Sequence, residues 1–377
     1  MTIPYGHQSI NDDDVRAVVE SLSSDWLTMG PRVTEFENAI AAVANTSGAV
    51  AVTSGTAALH TAYAAMQLEA NADVIVSPLT FVATASTAIL CGAKVRFADV
   101  HDDTGNIDPE IVGSMATPQT RVIAAVDYAG HPADLDELSV IARQSGALLL
   151  EDAAHSVGSI YRGHSVGEIA DVTTFSFFPT KNLTSAEGGA IVSTDNDLLE
   201  RARSFRSHGL VRDKMQQRYP DEGPWHQEVH HLGLNYRLPD VLSALGSSQI
   251  SRLQQFKASR SRVFSRYVEG LTDLDGITLP TQRDYVDPMW HLFPVRIHDG
   301  RRREVFDFLR ANGVLVQVNY IPAYWHPYFE DLGYKRGMCP VAERYYSEEI
   351  SLPMFAGLGT SDQDRVIELV RAALSDN

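Results

Sequence analysis

Residues 148–156, Leu-Leu-Leu-Glu-Asp-Ala-Ala-His-Ser, contain the pattern that decides the fold: a short apolar run that ends at an acidic residue, Asp152. Helical patterns lie between it and similar apolar runs at residues 49–53, 74–77, 94–97, 122–126, 172–177 and 190–193. Short, fully apolar strands that alternate with helices indicate a mostly parallel sheet with both faces covered. The chain up to about residue 245 is therefore predicted to be an α/β domain.

The pattern changes after about residue 245. A long helical stretch is predicted over 240–271. It is followed by predicted strands at 290–297 and 314–320 and predicted helices at 302–312, 340–349 and 361–375. This succession indicates a smaller α+β domain, so we expect a large domain over residues 1–248 and a small C-terminal domain over residues 249–377.

The N-terminal region also contains a predicted helix. Residues 11–23 place Val15, Val18, Val19 and Leu22 on one helical face, and acidic residues fill the first turn. Acidic side chains at this position interact favourably with the positive end of a helix.

Composition narrows the class of protein. The 377 residues include 31 Lys and Arg but 48 Asp and Glu, which gives a net charge of −17. This balance argues against a nucleic-acid or anionic-membrane partner, although a local pocket for a small anion is compatible with it. The sequence has two cysteines, no basic and apolar leader at the start and no apolar run of about 18 residues. These features argue against a disulfide framework, a signal peptide and a membrane span, so we expect a cytoplasmic protein of enzyme size.

Several common motifs are missing from the sequence. It has no G-x-G-x-x-G dinucleotide fingerprint, no phosphate-binding P-loop, no H-E-x-x-H zinc motif and no G-x-S-x-G nucleophile elbow. The only histidine cluster is His226, His230 and His231. Because glycines and a proline flank this cluster, we expect a loop there and no metal site.

Three predicted strands end in polar segments, and ligands of open α/β sheets bind beyond the carboxyl ends of the strands. The first segment, Val52-Thr-Ser-Gly-Thr-Ala-Ala58, leads from a strand into a helix. Gly55 and Thr56 let backbone N–H groups approach an anion at the helix N-terminus, where a phosphate fits. The alternative is an ordinary N-cap by Thr53 or Ser54.

The second segment contains Asp152 and His155. A carboxylate that directly follows an apolar strand is desolvated unless it meets a cation or a hydrogen-bond donor, and a protonated ring nitrogen would satisfy it. The alternative is that Asp152 caps a helix that starts at the following alanines. His155, taken alone, is better interpreted as a structural histidine.

The third segment, Thr174 to Gly189, contains Ser176 and Lys181. A lysine in apolar surroundings has a lowered pKa and can act as a nucleophile, whereas most lysines are simply solvated. Ser176 is able to donate a hydrogen bond to a phosphate oxygen. A phosphate cradle, a strand-end Asp and a downstream Lys, in this order, are together what pyridoxal 5′-phosphate requires.

The runs Glu151-Asp-Ala-Ala-His-Ser156, Ser176-Phe-Phe-Pro-Thr-Lys181 and Glu187-Gly-Gly189 resemble the DegT-type nucleotide-sugar aminotransferases. Further segments resemble family motifs in the same order along most of the chain, at residues 25–30, 54–58, 78–84, 205–209 and 233–237. The resemblance implies a fold-type I pyridoxal phosphate-dependent transferase, with a mostly parallel seven-stranded sheet in the large domain. Phe178 departs from the family pattern, because many members have His there.

The resemblance also implies roles for the cofactor-site residues. Lys181 would bind the cofactor covalently and move the proton during catalysis, Asp152 would pair with the pyridine nitrogen, and His155 and Phe81 would lie against the ring. Gly55, Thr56 and Ser176 would hold the phosphate. Asn235 would reach the phosphate from the neighbouring subunit, so the resemblance implies a homodimer with shared active sites.

The substrate expectation rests on the same resemblance. The C-terminal segments 317–324, 326–328 and 351–353 are most similar to the pseudaminic acid branch of the family. Enzymes of that branch transfer an amino group from L-glutamate to C4 of a UDP-linked 4-keto-6-deoxy-N-acetylhexosamine. The implied substrate-binding residues are Tyr5, Asp25, Trp26, Leu27, Thr28, Arg237, Gln317, Val318, Asn319 and Tyr320.

Other interpretations stay open at this point. Tyr320, Tyr324, Trp325 and Tyr328 are also compatible with core or hinge aromatics. Another UDP- or dTDP-linked keto-deoxysugar is an alternative acceptor. A dehydratase that uses the same cofactor is a further alternative, but the dehydrating branch of the family has His at the Lys181 position. A non-catalytic regulatory protein would need an additional binding region, and the family pattern leaves no residues for one.

Overall fold

The computed structural model describes residues 2–375. Its strands, numbered in chain order, are β1 Gly48–Val52, β2 Asp73–Val76, β3 Lys94–Phe97, β4 Thr120–Val126, β5 Leu148–Asp152, β6 Ile160–Tyr161, β7 His164–Ser165, β8 Val172–Ser176, β9 Gly189–Ser193, β10 Leu210–Val211, β11 Glu228–Val229, β12 Ile277–Thr278, β13 Val286–Asp287, β14 Phe293–Ile297 and β15 Glu349–Leu352.

The helices, numbered in the same way, are α1 Asp12–Leu22, α2 Pro31–Ala44, α3 Gly55–Ala65, α4 Ala83–Leu90, α5 Pro109–Met115, α6 Leu135–Ser145, α7 Asn196–Arg206, α8 Asp240–Ile250, α9 Leu253–Leu271, α10 Arg302–Ala311, α11 Pro327–Asp331, α12 Pro340–Glu348 and α13 Thr360–Ser375. None of the helices in the described part of the chain is long and apolar enough to cross a membrane.

A seven-stranded sheet in the order β1-β9-β8-β5-β4-β2-β3 confirms the predicted α/β fold. Strand β9 is antiparallel to both of its neighbours, and the other strand pairs are parallel. Successive residues of a strand point to opposite faces of its sheet. In β4, accordingly, Val122 packs in one apolar cluster with α3, whereas Ile123 packs in another with α6. Both faces of the sheet are therefore covered, as the apolar strands predict.

The small-domain elements differ in part from the prediction. The helical stretch predicted over 240–271 is two helices, α8 and α9, with Ser251 and Arg252 between them. The strand predicted over 314–320 is wrong, because this segment makes only isolated bridges, Ile3 with Val314 and Gln317 with Ser351. The smaller sheet is formed instead by β12, β14 and β15. The proposed division at residue 248 falls inside α8.

Helix α1 confirms the predicted helix over 11–23, but its apolar residues are not buried. Val15, Val19 and Leu22 are each more than half exposed. The buried residues of the helix are Asp14 and Ser21, and the Asp14 carboxylate accepts hydrogen bonds from Ser248 Oγ (2.6 Å) and Gln249 Nε2 (2.7 Å). Helix α1 therefore packs on α8 through a polar contact and leaves its apolar face exposed on the single chain.

Candidate active site

A cavity of about 390 Å³ lies at the carboxyl ends of β1, β5 and β8. Strands β5 and β8 run parallel, so the ends of both meet at this edge of the sheet. The three polar strand ends picked out from the sequence therefore converge on one site. Ten of the predicted site residues line it: Tyr5, Gly55, Thr56, Phe81, Asp152, His155, Ser176, Lys181, Asn319 and Tyr320.

The end of β1 forms an anion cradle and a helix cap at once. Ser54 caps α3, with its side-chain oxygen accepting from the N–H of Ala57 at 3.1 Å, as the N-cap alternative predicted. Gly55 and Thr56, the first two residues of α3, line the cavity. A Cβ on Gly55 would lie 2.7 Å from Ser176 Cβ and 2.8 Å from its Oγ, so only glycine fits there. This leaves free N–H groups at a helix N-terminus beside a serine hydroxyl, which suits a phosphate.

Asp152 is held in place by hydrogen bonds at the end of β5. Thr84 Oγ1 donates to its Oδ2 at 2.6 Å, and the N–H of Ala154 donates to its Oδ1 at 3.2 Å. The residues that follow form a turn and no helix, so the helix-cap alternative is wrong. Burial raises the pKa of Asp152, while these hydrogen bonds and the charge of Lys181 lower it. A carboxylate with this environment is ready to pair with a cationic group.

Lys181 lies in a loop after β8 and lines the same cavity as Asp152. Burial lowers its pKa from the usual 10.5 to about 8, against the opposing effect of the Asp152 carboxylate. At neutral pH, a lysine with this pKa is neutral far more often than an exposed one. The amine therefore has the nucleophilic and basic character that covalent cofactor chemistry needs.

His155 lines the cavity, and its ring contacts the rings of His291 and Tyr320. Its Nε2 is 3.0 Å from the hydroxyl of Tyr320, and its ring centroid is 4.3 Å from that of His291. Burial, reinforced by the Lys181 charge, lowers the pKa of His155 well below its usual value, so the ring is neutral. Its Nδ1 is buried and has no hydrogen-bond partner among the described residues.

These residues fit pyridoxal phosphate. The glycine cradle and Ser176 match a phosphate, Asp152 matches a protonated ring nitrogen, and Lys181 matches an aldehyde carbon. Thr174 Oγ1, like His155 Nδ1, is buried beside the cavity without a partner within residues 2–375. These two atoms are therefore available to hydrogen-bond a group bound in the cavity.

The wall opposite the cradle consists of Tyr5, Phe81, Asn319 and Tyr320. The side-chain amide of Asn319 donates to Tyr5 Oη at 2.6 Å, and the rings of Phe81 and Tyr320 meet edge to face at 6.4 Å. Phe81 is 59% exposed in the single chain, so its ring is free to contact a ligand. Phe178, at the position that departs from the family pattern, is also half exposed and lines the cavity.

The remaining predicted site residues lie outside this cavity. Gln317 and Val318 precede Asn319 but do not line it. The other residues lie on two neighbouring segments, and all of them are exposed except Arg237, which is half-buried. We call them the outer group: Asp25, Trp26, Leu27, Thr28, Asn235 and Arg237. Its two segments are joined by a hydrogen bond of 3.0 Å from Asp240 N to Leu27 O and by a bridge between Thr28 and Pro239.

Residues around the cavity that were not predicted as site residues include Thr84, Asn182, His291 and Glu349. Thr84 lies in a segment that resembles a family motif, which is the one signal that pointed to it. His291 stacks on His155 and is oriented by Asn182, whose Oδ1 lies 3.2 Å from His291 Nδ1. Glu349 lies below Asn319 and accepts its backbone N–H at 2.7 Å.

The predicted loop around the histidine cluster includes a short strand, because His226 and His230 flank β11, which pairs with β10. His226 Nε2 and His230 Nε2 lie 3.1 and 2.5 Å from the two oxygens of Glu228. Within residues 2–375, no group of His, Cys, Asp or Glu is arranged to hold a metal ion. The cluster therefore braces the loop.

The fold and the cavity together define a pyridoxal phosphate-dependent enzyme, with a lysine, a strand-end carboxylate and a phosphate cradle on an α/β sheet. The chain belongs to the DegT/DnrJ/EryC1/StrS aminotransferase family, whose model matches residues 8–371. It is a sugar aminotransferase.

Named relatives extend along the whole chain. The spore coat polysaccharide biosynthesis protein SpsC of Bacillus subtilis is 36% identical, covering 98% of this chain and 96% of its own. The UDP-4-amino-4,6-dideoxy-N-acetyl-beta-L-altrosamine transaminase of Campylobacter jejuni is 34% identical, covering 96% and 94%. Among solved structures, Helicobacter pylori PseC, an aminotransferase involved in the biosynthesis of pseudoaminic acid, matches with a TM-score of 0.93 and 29% identity, and both chains are fully covered.

Proposed function

We propose that this enzyme transfers the amino group of L-glutamate to the C4 keto group of a nucleotide-linked 4-keto-6-deoxy sugar, in particular UDP-4-keto-6-deoxy-N-acetylhexosamine. The observation that carries the transfer is the convergence of Lys181, Asp152 and the Gly55 cradle in one cavity. The choice of sugar is supported by the Campylobacter relative, whose name specifies a product of this class.

Lys181 is the proton-transfer residue in this proposal. Bound pyridoxal phosphate supplies an electron sink that stabilises negative charge at the carbon that loses its proton. The Lys181 amine takes the proton from Cα of the amino donor and delivers it to C4′ of the cofactor. It performs the reverse transfer when the keto sugar is aminated. A pKa of about 8 suits this work, because a general base is most effective when its pKa lies near the working pH.

Asp152 keeps the electron sink effective. Its carboxylate would accept a hydrogen bond from the ring nitrogen and hold that nitrogen protonated. Thr84 fixes the carboxylate, and Thr80 Oγ1, 2.7 Å from Thr84 Oγ1, extends the network. His155 and Phe81 would confine the ring between them, so that the proton transfers occur on one defined face.

The outer group supports a homodimer. The sequence resemblance implies that Asn235 contacts the cofactor phosphate and that Arg237 and residues 25–28 contact the substrate, yet none of these lines the cavity of its own chain. Trp26 is 54% exposed, and it adjoins the exposed apolar face of α1. A large exposed apolar patch marks a surface that binds another molecule. We infer that a second copy covers this patch and that the outer group completes the partner's cavity.

Product analysis tests this function. The purified enzyme is incubated with L-glutamate and with each of several UDP- and dTDP-linked 4-keto-6-deoxy sugars. The expected result is 2-oxoglutarate together with a UDP-N-acetyl sugar that has an amine at C4, identified by mass spectrometry and NMR. Amination of a different keto sugar would overturn the proposed acceptor. Loss of water from the sugar without consumption of glutamate would replace transamination with dehydration.

A further inference from the structure

The face of β15 that points away from the small-domain core contains two polar residues. Ile350 and Leu352 pack in the core, and because side chains alternate along a strand, Glu349 and Ser351 point to the opposite side. Both are fully buried. They lie below the segment that provides Asn319 and Tyr320 to the cavity wall, and neither of them lines the cavity.

Glu349 is the centre of a hydrogen-bond network beneath this wall. Its Oε2 accepts the backbone N–H of Asn319 at 2.7 Å, and its Oε1 accepts the hydroxyl of Ser351. Ser351 Oγ in turn accepts from the Asn319 side-chain amide at 3.1 Å. One carboxyl group therefore fixes Asn319 both directly through the backbone and indirectly through Ser351.

The same segment is held from two further directions. Tyr128 donates its hydroxyl proton to the Asn319 carbonyl, and Tyr5 Oη accepts from the Asn319 amide at 2.6 Å. Tyr320 follows directly and places its hydroxyl 3.0 Å from His155 Nε2. The orientation of Tyr320 in the cavity is therefore coupled to the contacts that hold Asn319.

Glu349 is a costly residue to bury. Burial raises the pKa of Glu349 to about 8, so its carboxyl group is mostly protonated at neutral pH, and its two oxygens still need hydrogen-bond partners inside the protein. Within residues 2–375, Glu349 forms no ion pair at salt-bridge distance, so its hydrogen bonds to Asn319 and Ser351 supply the main compensation. An apolar residue would be the less costly choice if the position served packing alone.

We propose that Glu349 is a positioning residue for the keto-sugar side of the active site, because it holds Asn319 and, through it, Tyr320 in the geometry that receives the sugar. This inference rests on the proposed function. It adds a residue outside the cavity to those that determine how the acceptor binds.

Three variants and one control test this role. Glu349→Ala removes the acceptor for the Asn319 N–H, whereas Glu349→Gln keeps an oxygen in that place. Ser351→Ala removes only the indirect support. The matched control is Gln363→Ala, because Gln363 is also buried and donates to the backbone, to Val263 O at 2.6 Å, but belongs to the α9–α13 contact far from the cavity wall.

Steady-state kinetics of the holoenzyme should separate the two substrates. For Glu349→Ala, we expect the KM for the keto sugar to rise about tenfold or more while kcat/KM for L-glutamate changes less than about threefold. Glu349→Gln should recover most of the sugar KM, and Ser351→Ala should lie between the two. Hydrogen exchange of residues 316–322, measured without substrate, should accelerate in Glu349→Ala and stay near the wild-type rate in Glu349→Gln.

The outcomes separate this inference from the proposed function. An unchanged sugar KM in Glu349→Ala, or equal losses for both substrates that Gln363→Ala reproduces at the same loss of stability, overturns the positioning role. If Glu349→Ala does not fold, the decision rests on Ser351→Ala, and a wild-type sugar KM in that variant overturns the role. The proposed function fails separately, if the wild-type enzyme itself aminates no keto sugar.

Discussion

The cavity and the outer group differ in how far one chain completes them. In the cavity, strand ends, a helix N-terminus and buried hydrogen bonds fix each functional side chain, as Thr84 fixes Asp152 at 2.6 Å. In the outer group, Trp26 and Asn235 are exposed and lie on loops joined to the rest of the chain by a few backbone contacts. The cofactor half of the site is thus built into one chain, whereas a second chain completes the outer half only in the proposed homodimer.

Replacing Lys181 should have the largest effect, because no other lysine among residues 2–375 lines the cavity. We expect Lys181→Ala to lose at least about 10³-fold in turnover, as enzymes do when a nucleophile that is also the general base is removed. Lys257→Ala is the control, since Lys257 is also buried but donates to Gly158 O, outside the cavity. A Lys181→Ala enzyme with near-normal turnover would refute the chemistry assigned to the cavity.

Whether the outer group of one chain completes the cavity of its partner can be tested by mixing two inactive variants. One is Lys181→Ala, and the other is a double variant with Asn235→Ala and Arg237→Ala. If the outer group serves the partner, each mixed dimer contains one intact site, and random exchange of subunits should restore about a quarter of wild-type activity. The measurement is turnover after the two variants are denatured and refolded together.

The control for this experiment mixes each variant with itself under the same conditions, and it should remain inactive. No recovery in the mixed sample, with dimers present by light scattering, would mean that the outer group acts on its own chain. Activity of the double variant alone near the wild-type level would remove the outer group from the site.

A substitution at Gly55 in the phosphate cradle should have a smaller effect, confined to cofactor binding. A Cβ added at Gly55 would lie 2.7 Å from Ser176 Cβ, so Gly55→Ala must displace the serine or the helix start. We expect the Kd for pyridoxal phosphate to rise about 10- to 100-fold, in line with the loss of one or two charge-assisted hydrogen bonds. Gly113→Ala, where the nearest atom would lie 3.7 Å away, should leave the Kd unchanged. Equal Kd values for Gly55→Ala and Gly113→Ala would contradict the assignment of Gly55 to the phosphate cradle.

The smallest expected effect is a shift in the titration of Lys181. Because burial lowers its pKa to about 8, the neutral amine forms as pH rises through about 8. Modification of Lys181 in the apoenzyme by a small amine-reactive reagent, followed by mass spectrometry, should show this midpoint. In Asp152→Asn the midpoint should move to lower pH, because the removed carboxylate favours the charged amine. A midpoint near 10.5 in the wild type would show an exposed lysine.

The same linkage predicts how the stability of the apoenzyme depends on pH. The folded-state pKa of Lys181 lies below its value in the unfolded chain, so the unfolded chain binds more protons between about pH 8 and 10.5. The Lys181 contribution to the free energy of unfolding should therefore increase with pH across this window. Lys181→Met should lack this contribution, which chemical denaturation at several pH values can measure.

The sequence predicts the cavity better than its surroundings, and the reason is physical. Apolar runs such as 148–150 have few alternatives to a buried strand, so Asp152 and Lys181 could be assigned to strand ends. Glu349 could not be found in this way, because a charged residue at the start of a short strand usually faces solvent. Its role depends on Asn319, which contacts it only in the folded chain.

Exposure explains the other differences between prediction and structure. Helical periodicity identified α1, and the structure leaves its Val15 and Val19 exposed. Periodicity alone cannot distinguish an apolar face that packs on the chain's own core from one that is available to a partner. The strand predicted over 314–320 failed because β15 occupies the position beside β14, which leaves that segment only isolated bridges. Both features depend on tertiary pairing, which local patterns do not encode.

The bond between Tyr5 and Asn319 has a consequence for the synthesis of the protein. These residues are 314 positions apart, and they close one wall of the cavity. During translation the Gly55 cradle and Asp152 leave the ribosome long before Asn319, and contacts between distant residues form late because closing a long loop is entropically unfavourable. A nascent chain therefore has the means to bind the cofactor phosphate before it has the means to select a sugar. Holding the cofactor is an early property of this chain, and choosing the acceptor is a late one.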